Sequence, residues 1–448
     1  MKYLFTTANK YFVTFLLTLL LSSLVQAQKT THSPYSRYGI GLLNPQRTNA
    51  NFAAGGIGYA WRPQNYKPQI YDSLARSNAK LNDRGTNYIN LKNPASFSNI
   101  SLTTFEAGIY GQGTEMVNGG QSRTESTAYL NHAALAFPIG ENWGLGFGIR
   151  PYSKIGYDYQ NSRTLASGET VRNQYQGSGG LNQIFLGTAV QFAKHWSLGV
   201  SGNYLFGTLN DERRVVYENG TNFFNTLDQG ETRVSDFSFD FGLQYFANLN
   251  QDYRLVAGLT ASPISELSGE YFRLVRNYAG NEDFEQFKDT TSNLEGEKVS
   301  LNVASTFGGG LSIEKRGDWM VGIDYALHNR KTERVSNNVE LVSNSELNLG
   351  FEKFNNISAF GSYFKQMGYR AGMRYNSALL SVNGEAVQEF GISFGVSMPL
   401  RKSFSTLNFG AEIGRRGKDE SGLTEESFFN LLFGITINDK WFVQRKYD

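Results

Sequence analysis

Apolar and polar residues alternate along much of this chain, most clearly near its end. In residues 428–438, five apolar side chains from Phe429 to Ile437 fall on one face, and Asn430, Gly434, Thr436 and Asn438 fall on the other. Residues 236–245, 319–327 and 390–398 repeat the pattern. A period of two indicates β-strands with one apolar face. The chain is therefore predicted to be built from strands.

The alternation extends to fourteen segments, each near or slightly above the roughly 9–11 residues that a tilted membrane strand needs. They are 101–112, 127–138, 143–153, 182–193, 196–208, 234–247, 253–263, 301–314, 318–329, 355–364, 367–378, 388–399, 404–415 and 428–442. The connections alternate between short ones and long ones, the long ones including 113–126, 154–181, 209–233 and 264–300. Outer-membrane barrels have short periplasmic turns and longer extracellular loops. The predicted fold is all-β, a 14-stranded antiparallel transmembrane β-barrel with both ends in the periplasm and its long loops outside the cell.

Aromatic residues mark one predicted edge of this barrel. Four begin a strand just after a short turn, and a fifth lies at the end of the last strand. These are Trp143, Trp196, Tyr253, Trp319 and Trp441. Aromatic rings favour the membrane–water interface, so the five residues predict an aromatic belt. Ordinary buried tryptophans of a soluble β-sandwich are the alternative.

Two segments precede the strands. Residues 1–27 have an apolar run after two lysines and end in Val25-Gln26-Ala27, as a secretory signal peptide does. A membrane anchor is the alternative, but the apolar run is too short to span a bilayer. Residues 28–100 lack strand periodicity and are predicted to be a plug (hatch) inside the barrel formed by residues 101–448. A periplasmic tail is the alternative for this segment.

Composition removes several functional classes. The 448 residues contain no cysteine, and 42 Lys and Arg nearly balance 40 Asp and Glu. Disulfides and thiolate chemistry are therefore excluded, and a nucleic-acid partner is not expected. The four histidines have no metal-ligand spacing. No catalytic arrangement, metal site or cofactor is predicted, and the protein is not expected to be an enzyme.

Charged residues occur on the predicted inner face of the strands. Strand parity places nine inside, namely Glu106, Arg150, Asp240, Arg254, Asp324, Arg370, Arg374, Glu389 and Glu412. A structural network of paired charges that holds a plug is favoured, because buried charges need partners. A polar substrate path is the alternative. An apolar ligand route would instead use aromatics of the plug and loops, with Tyr35, Tyr38, Phe97 and Tyr152 as candidates.

The chain resembles the FadL-type outer-membrane channels for long-chain fatty acids and hydrophobic compounds. The resemblance is carried by the predicted signal peptide, the fourteen strands and the plug motif Asn93, Pro94 and Ala95. Residues 33–41, 178–183 and 438–448 resemble a Bacteroidota branch of that family. The family implies a hatch in a fourteen-stranded barrel and passive uptake of hydrophobic small molecules, which leave sideways into the membrane. About seventy residues lie between the predicted signal peptide and the first strand, more than in the usual hatch.

Two functions stay open from the sequence. One is the passive channel that the resemblance implies. The other is a non-transporting barrel that is a subunit of an outer-membrane protein-assembly complex (BAM-like) or of a secretion complex (type IX-like). The expected partners are outer-membrane lipid and lipopolysaccharide, with a hydrophobic ligand in the first case and other complex subunits in the second. A porin is disfavoured, because a plugged lumen with paired charges blocks bulk flow.

Overall fold

The structure, a computed structural model, describes ten stretches of the chain. They are residues 31–62, 87–166, 168–218, 223–280, 284–336, 338–354, 362–400, 403, 405–420 and 422–439. The predicted signal peptide and Trp441 lie outside them. Within these stretches no helix has the length and apolarity to span a bilayer.

Fourteen antiparallel strands form a closed barrel, as the alternation predicts. They are β1 (Thr103–Asn118), β2 (Gln121–Gly140), β3 (Trp143–Pro151 and Ser153–Thr164), β4 (Thr170–Phe192), β5 (Trp196–Tyr217), β6 (Asn225–Asn248), β7 (Tyr253–Ser262 and Glu266–Ala279), β8 (Gln286–Asn302 and Ser305–Lys315), β9 (Trp319–Asn329), β10 (Asn344–Lys353), β11 (Gly368–Asn376), β12 (Glu389–Pro399), β13 (Thr406–Arg416) and β14 (Glu425–Asp439). Each strand pairs with the next, and β1 pairs with β14 to close the cylinder.

The predicted side-chain alternation is confirmed on the strands. On β14, Phe429, Leu431 and Phe433 are exposed on the outer face, whereas Asn430 and Thr436 are buried inside. An apolar outer band with a hydrophilic interior is the reverse of a soluble barrel and is typical of outer-membrane proteins.

Two features of the predicted strands are wrong. The tenth strand of the wall is Asn344–Lys353 rather than 355–364; residues 355–361 lie outside the described stretches, and Tyr363–Gln366 form a 3-10 turn. Several predicted long loops are in fact strand. The stretch 113–126 is a continuous hairpin with a tight turn at Gly119 and Gly120, and the stretches 154–181, 209–233 and 264–300 are mostly extensions of β3–β8. One side of the barrel is therefore much taller than the other, and the tall side rises at the long-loop end.

Short elements complete the long-loop end and the interior. A four-stranded sheet consists of Glu333–Ser336, Val339–Leu341, Ser381–Val382 and Glu385–Ala386. Ahead of β1 lie two 3-10 turns, Pro34–Arg37 and Pro94–Asn99, and the short strand Leu42–Leu43. The small sheet packs against the early residues through an apolar cluster that includes Tyr35, Leu341 and Leu380.

The barrel wall has an interruption between β2 and β3. The lower part of β3 pairs with residues 133–140 of β2, but beyond the break at Tyr152 the strand pairs with β4 and with Leu42–Leu43. Residues 121–132 of β2 pair with β1 alone. We call this stretch without strand pairing the β2–β3 gap.

Candidate functional site in the barrel lumen

The interior of the barrel is occupied by residues 31–62 and 87–102, which we call the N-terminal segment. Thirteen of the fourteen strands present an inward glycine whose added Cβ would lie within 3 Å of an atom of this segment. They are Gly108, Gly146, Gly187, Gly199, Gly242, Gly258, Gly308, Gly322, Gly350, Gly372, Gly395, Gly410 and Gly434. On β2, Ala134 and Ala136 are the corresponding small residues. This glycine ring leaves no layer of side chains between the wall and the segment.

The N-terminal segment follows the inner circumference in chain order. Asn49 contacts β1 and β14, Phe52 contacts β13, Ile57 contacts β9 and β10, and Tyr59 contacts β7 and β8. After residues 63–86, the stretch 93–97 covers β6 to β3 in the same way. The two stretches together contact nearly every strand, so the segment supports the whole wall.

The Asn-Pro-Ala motif lies in the middle of this contact. Asn93 is fully buried, and its side chain accepts a hydrogen bond from the Ala95 amide at 3.0 Å and donates to the Tyr59 carbonyl at 2.7 Å. Pro94 and Ala95 pack against Gly199. Asn93 thus caps the 3-10 turn that follows and joins the two parts of the segment.

Asn49 lies on the line where the barrel closes. Its side-chain amide donates to the carbonyls of Ala107 on β1 and Ile435 on β14, at 3.2 and 3.1 Å. The paired glycines Gly108 and Gly434 make room for it. One side chain therefore bonds to both strands of the closing seam.

Three of the predicted lumenal charges belong to one buried network. Arg374 donates to Glu412 at 2.6 Å and also pairs with Glu389. Glu389 in turn accepts from Arg416 at 2.5 Å. Arg47 of the N-terminal segment pairs with Glu412. The network thus ties the segment to β11, β12 and β13.

Two more of the predicted charges lie in separate pairs. Asp324 accepts from the amides of Gly58 and Tyr59 at 2.7 and 3.0 Å and lies 3.5 Å from Lys92. Burial alone would lower the pKa of Lys92, but Glu346 at 3.3 Å and Asp324 outweigh it, so the pKa is raised. Lys92 therefore stays charged.

Arg370 pairs with Glu352 at 2.6 Å, and the second oxygen of Glu352 accepts from the Trp61 indole at 3.1 Å. The N-terminal segment is thus a hydrogen-bonding partner of this ion pair as well.

The remaining predicted charges are not joined to these networks. Arg254 lies 3.7 Å from Glu314, and Glu106 accepts from the Thr436 hydroxyl at 2.9 Å. Asp240 accepts from Asn203 and Ser262, at 2.9 and 2.5 Å. Arg150 donates to the Asn44 carbonyl at 3.2 Å.

Sequence reasoning missed several charged residues of the lumen. Seven of them take part in ion pairs, namely Arg47, Lys92, Glu314, Glu346, Glu352, Arg416 and Glu426, whereas Lys154 donates to the Tyr129 hydroxyl. Arg416 and Glu426 flank predicted strands by one or two residues, so extending the parity would have found them. Glu346 and Glu352 were lost with the misplaced tenth strand. Arg47 and Lys92 carry no periodic signal.

A cavity of about 240 Å³ remains between the N-terminal segment and the wall. Of the predicted ligand-lining aromatics, Tyr35, Tyr38 and Tyr152 line it. Phe97 lies elsewhere, packed against Gly146 and Gly187. Charged and polar side chains make up much of the lining, so the cavity is amphipathic rather than apolar.

The N-terminal segment also bridges the β2–β3 gap. Leu42 and Leu43 pair with Lys154 and Ser153 of β3, and the Asn44 amide donates to the Tyr152 carbonyl at 2.8 Å. On the other side, the Tyr129 hydroxyl of β2 donates to Asn44 at 3.2 Å. Side chains and one short strand thus stand in for the missing strand pairing.

The predicted belt residues that the structure describes lie at the short-turn end. Trp143 and Trp196 are exposed at the starts of β3 and β5. The rings of Tyr253 and Trp319, at the starts of β7 and β9, are 6.2 Å apart.

In the described stretches, no group of three His, Asp or Glu side chains is arranged to hold a metal ion. Most of the predicted lumenal charges instead pair with other charged groups or bond to the N-terminal segment.

Solved outer-membrane channels share this fold at low sequence identity. The toluene transporter TbuX of Ralstonia pickettii is 13% identical with a TM-score of 0.53, and the match covers 88% of this chain and 99% of that one. The toluene transporter TodX of P. putida is 14% identical with a TM-score of 0.52 over 89% and 99%. A Pseudomonas aeruginosa FadL homologue is 10% identical with a TM-score of 0.51 over 89% and 99%. These structures are channels rather than enzymes, and the likeness establishes the outer-membrane barrel fold.

Sequence comparison gives a more specific result. No curated protein sequence matches this chain. The sequence model of the BamG family matches residues 9–66 and 80–448, which is most of its length. With its fourteen-stranded wall and interior N-terminal segment, the chain belongs to the BamG family.

Proposed function

We propose that this protein is a closed, non-transporting barrel of the outer membrane that serves as a subunit of a protein-assembly machine. The observation that carries the proposal is the contact between the N-terminal segment and the glycine ring on thirteen strands. A conduit that runs straight through the lumen needs a plug that can move aside. Here the plug touches wall backbone almost all round and is held by buried ion pairs from Arg47 and Lys92.

The family supports the same function. The family name BamG agrees with the BAM-like protein-assembly complex among the alternatives, and we favour that class of complex over a secretion complex. In this proposal the short turns lie in the periplasm and the tall side of the barrel projects from the cell surface. That projecting wall offers a partner more area than a bare barrel does.

Purification from native outer membranes in a mild detergent tests the proposal. We expect the tagged protein to elute in a complex of fixed stoichiometry, with native mass spectrometry showing further outer-membrane subunits. We also expect no ion conductance when the pure protein is placed in a planar bilayer. A monodisperse monomer that conducts ions would contradict both parts of the proposal.

Passive uptake of hydrophobic small molecules is the second candidate, and the β2–β3 gap favours it. The gap has no strand pairing, and the residues that bridge it, Leu42 to Asn44, also line the cavity with Tyr38 and Tyr152. The fold is that of the toluene transporters. Proteoliposomes that take up toluene faster than protein-free vesicles would support this function over the first.

A further inference from the structure

Some of the cationic side chains that line the lumenal cavity have no carboxylate partner in the described residues. Four of its lining cations, Arg47, Lys92, Arg374 and Arg416, have carboxylate partners within 3.5 Å. Three others also line it, namely Arg150, Lys154 and Arg330. None of these three forms an ion pair with a residue in the part of the chain that the structure describes.

The three cations are withdrawn from solvent. Arg150 is 4% exposed and Lys154 is 7% exposed, and the Nε of Arg330 is buried with no hydrogen-bond partner in the described residues. Lys154 donates to the Tyr129 hydroxyl and lies 4.1 Å from the centre of its ring. A buried charge without a counter-charge costs several kcal/mol. Neutral oxygens and aromatic faces offset that cost only in part.

Only one carboxylate of the lining is left to offset them. Asp240 is bonded to Asn203 and Ser262 rather than to a cation within ion-pair distance. Among these four groups, three cations against one carboxylate leave an excess of two positive charges, and the second carboxylate beside Lys92 lowers the excess of the whole cavity to one. A phosphate monoester carries about −1.5 to −2 at neutral pH and offers three acceptor oxygens. A single carboxylate would neutralise half of the excess among the four groups.

The cavity also has an apolar side at the β2–β3 gap. Leu42, Leu43 and Pro45 line it, Leu42 and Leu43 also bridge the gap, and Leu43 is 43% exposed. A phosphate at the cations would thus lie beside an apolar, weakly closed part of the wall. We propose that the cavity binds a phosphate group, delivered as the headgroup of an anionic lipid through the gap or as the free ion from the long-loop end.

The test uses the full-length protein in dodecyl maltoside micelles without phosphate buffer. The probes are inorganic phosphate, dioctanoyl phosphatidic acid and octanoate, with binding measured by isothermal titration calorimetry. The variant is Lys154→Gln combined with Arg330→Gln. The control is Arg334→Gln combined with Lys353→Gln, since these two cations are exposed and lie away from the cavity.

We expect the wild type and the control to bind a phosphate probe and the cavity variant to bind it at least tenfold more weakly. Tighter binding of phosphatidic acid than of inorganic phosphate identifies a lipid headgroup, and equal binding identifies the free ion. Octanoate binding as tight as that of either phosphate probe would overturn the assignment to phosphate. So would the absence of wild-type binding to both phosphate probes, or equal binding by the cavity variant.

Folding of the variants is checked by heat-modifiable gel mobility. If the double variant misfolds, Arg330→Gln alone is used, because Arg330 follows the last residue of β9 and lies outside the strands. Since this variant loses one charge instead of two, it is expected to bind the phosphate probe at least threefold more weakly than the wild type, and equal binding would overturn the proposal.

Discussion

Gly258 of β7 lies directly against the main chain of the N-terminal segment, and Gly258→Ala tests the glycine ring. The new Cβ would stand 1.8 Å from the Tyr59 carbonyl oxygen and 2.4 Å from its carbon. Carbon contacts are ordinary at about 3.5 Å or more, so the Tyr59 main chain must shift by roughly 1.5 Å. That carbonyl accepts hydrogen bonds from Asn93 at 2.7 Å and from Gln244 at 3.0 Å, and both would be strained.

The expected cost follows from these contacts. Overpacking typically costs about 1–3 kcal/mol. Each of the two hydrogen bonds contributes about 0.5–1.5 kcal/mol. The free energy that holds the segment against the wall should therefore fall by roughly 2–6 kcal/mol. Because about 1.4 kcal/mol is a factor of ten, local opening should become at least ~30-fold more frequent.

Hydrogen exchange of the folded protein in micelles measures this opening. The reporting amides are those of Gly58, Tyr59 and Trp61, which are hydrogen-bonded to Asp324 or to Gly58. Gly111→Ala is the matched control, since Gly111 lies in β1 and nothing approaches its added Cβ within 4 Å. If the exchange rates of the three amides rise less than threefold in Gly258→Ala, the N-terminal segment is not packed tightly against the wall and the reasoning is refuted.

Three further predictions concern the buried charges and the gap. Arg370→Glu places two carboxylates where the 2.6 Å ion pair with Glu352 now lies, so the free energy of unfolding measured in urea should fall by about 3–5 kcal/mol. The exposed control Arg334→Glu should lower it by less than about 1 kcal/mol. Adding Glu352→Arg to Arg370→Glu should restore part of the loss. Lys92→Met removes the partner of Asp324 and Glu346 and should lower the midpoint of thermal unfolding. Lys315→Met, at an exposed pair with Asp318, should leave the midpoint unchanged. Equal midpoints of the two variants would show that the ion pairs of Lys92 do not stabilise the barrel. Leu43→Cys with Ser153→Cys should form a disulfide on mild oxidation, because directly paired antiparallel residues have Cα atoms about 4.5–5.5 Å apart and the chain has no other cysteine; a gel showing free thiols in the folded barrel would mean that the segment does not pair there.

The sequence predicts strands best where they cross the lipid, because only there does one face have to be apolar. On β14 the outer face has five large apolar residues, and the prediction is confirmed. On β10 the outer face has only Leu347, Leu349 and Phe351, and the sequence pattern placed the tenth strand at 355–364 instead. The upper parts of β4–β8 contain many polar residues, as in 286–300, so the apolar alternation is lost there and these parts were predicted as loops.

Of the lumenal charges, only those on the strands of the wall could be predicted from the sequence. Parity places Arg374, Glu389 and Glu412 inside, and the structure joins them. Their partner Arg47 lies 365 residues away from Glu412 in the chain, in a stretch without periodicity. Such pairs depend on how the segment follows the glycine ring. That path is set by backbone contacts at small residues, which leave no hydrophobic pattern.

The position of Asn49 has a consequence for the order of assembly. Its amide bonds to the first and last strands together, and Gly108 and Gly434 fit around it. A segment seated this closely has no room to thread into a finished cylinder. We therefore expect the strands to assemble around the N-terminal segment. Pairing of the last strand with the first would then close the barrel and enclose the segment in the same step.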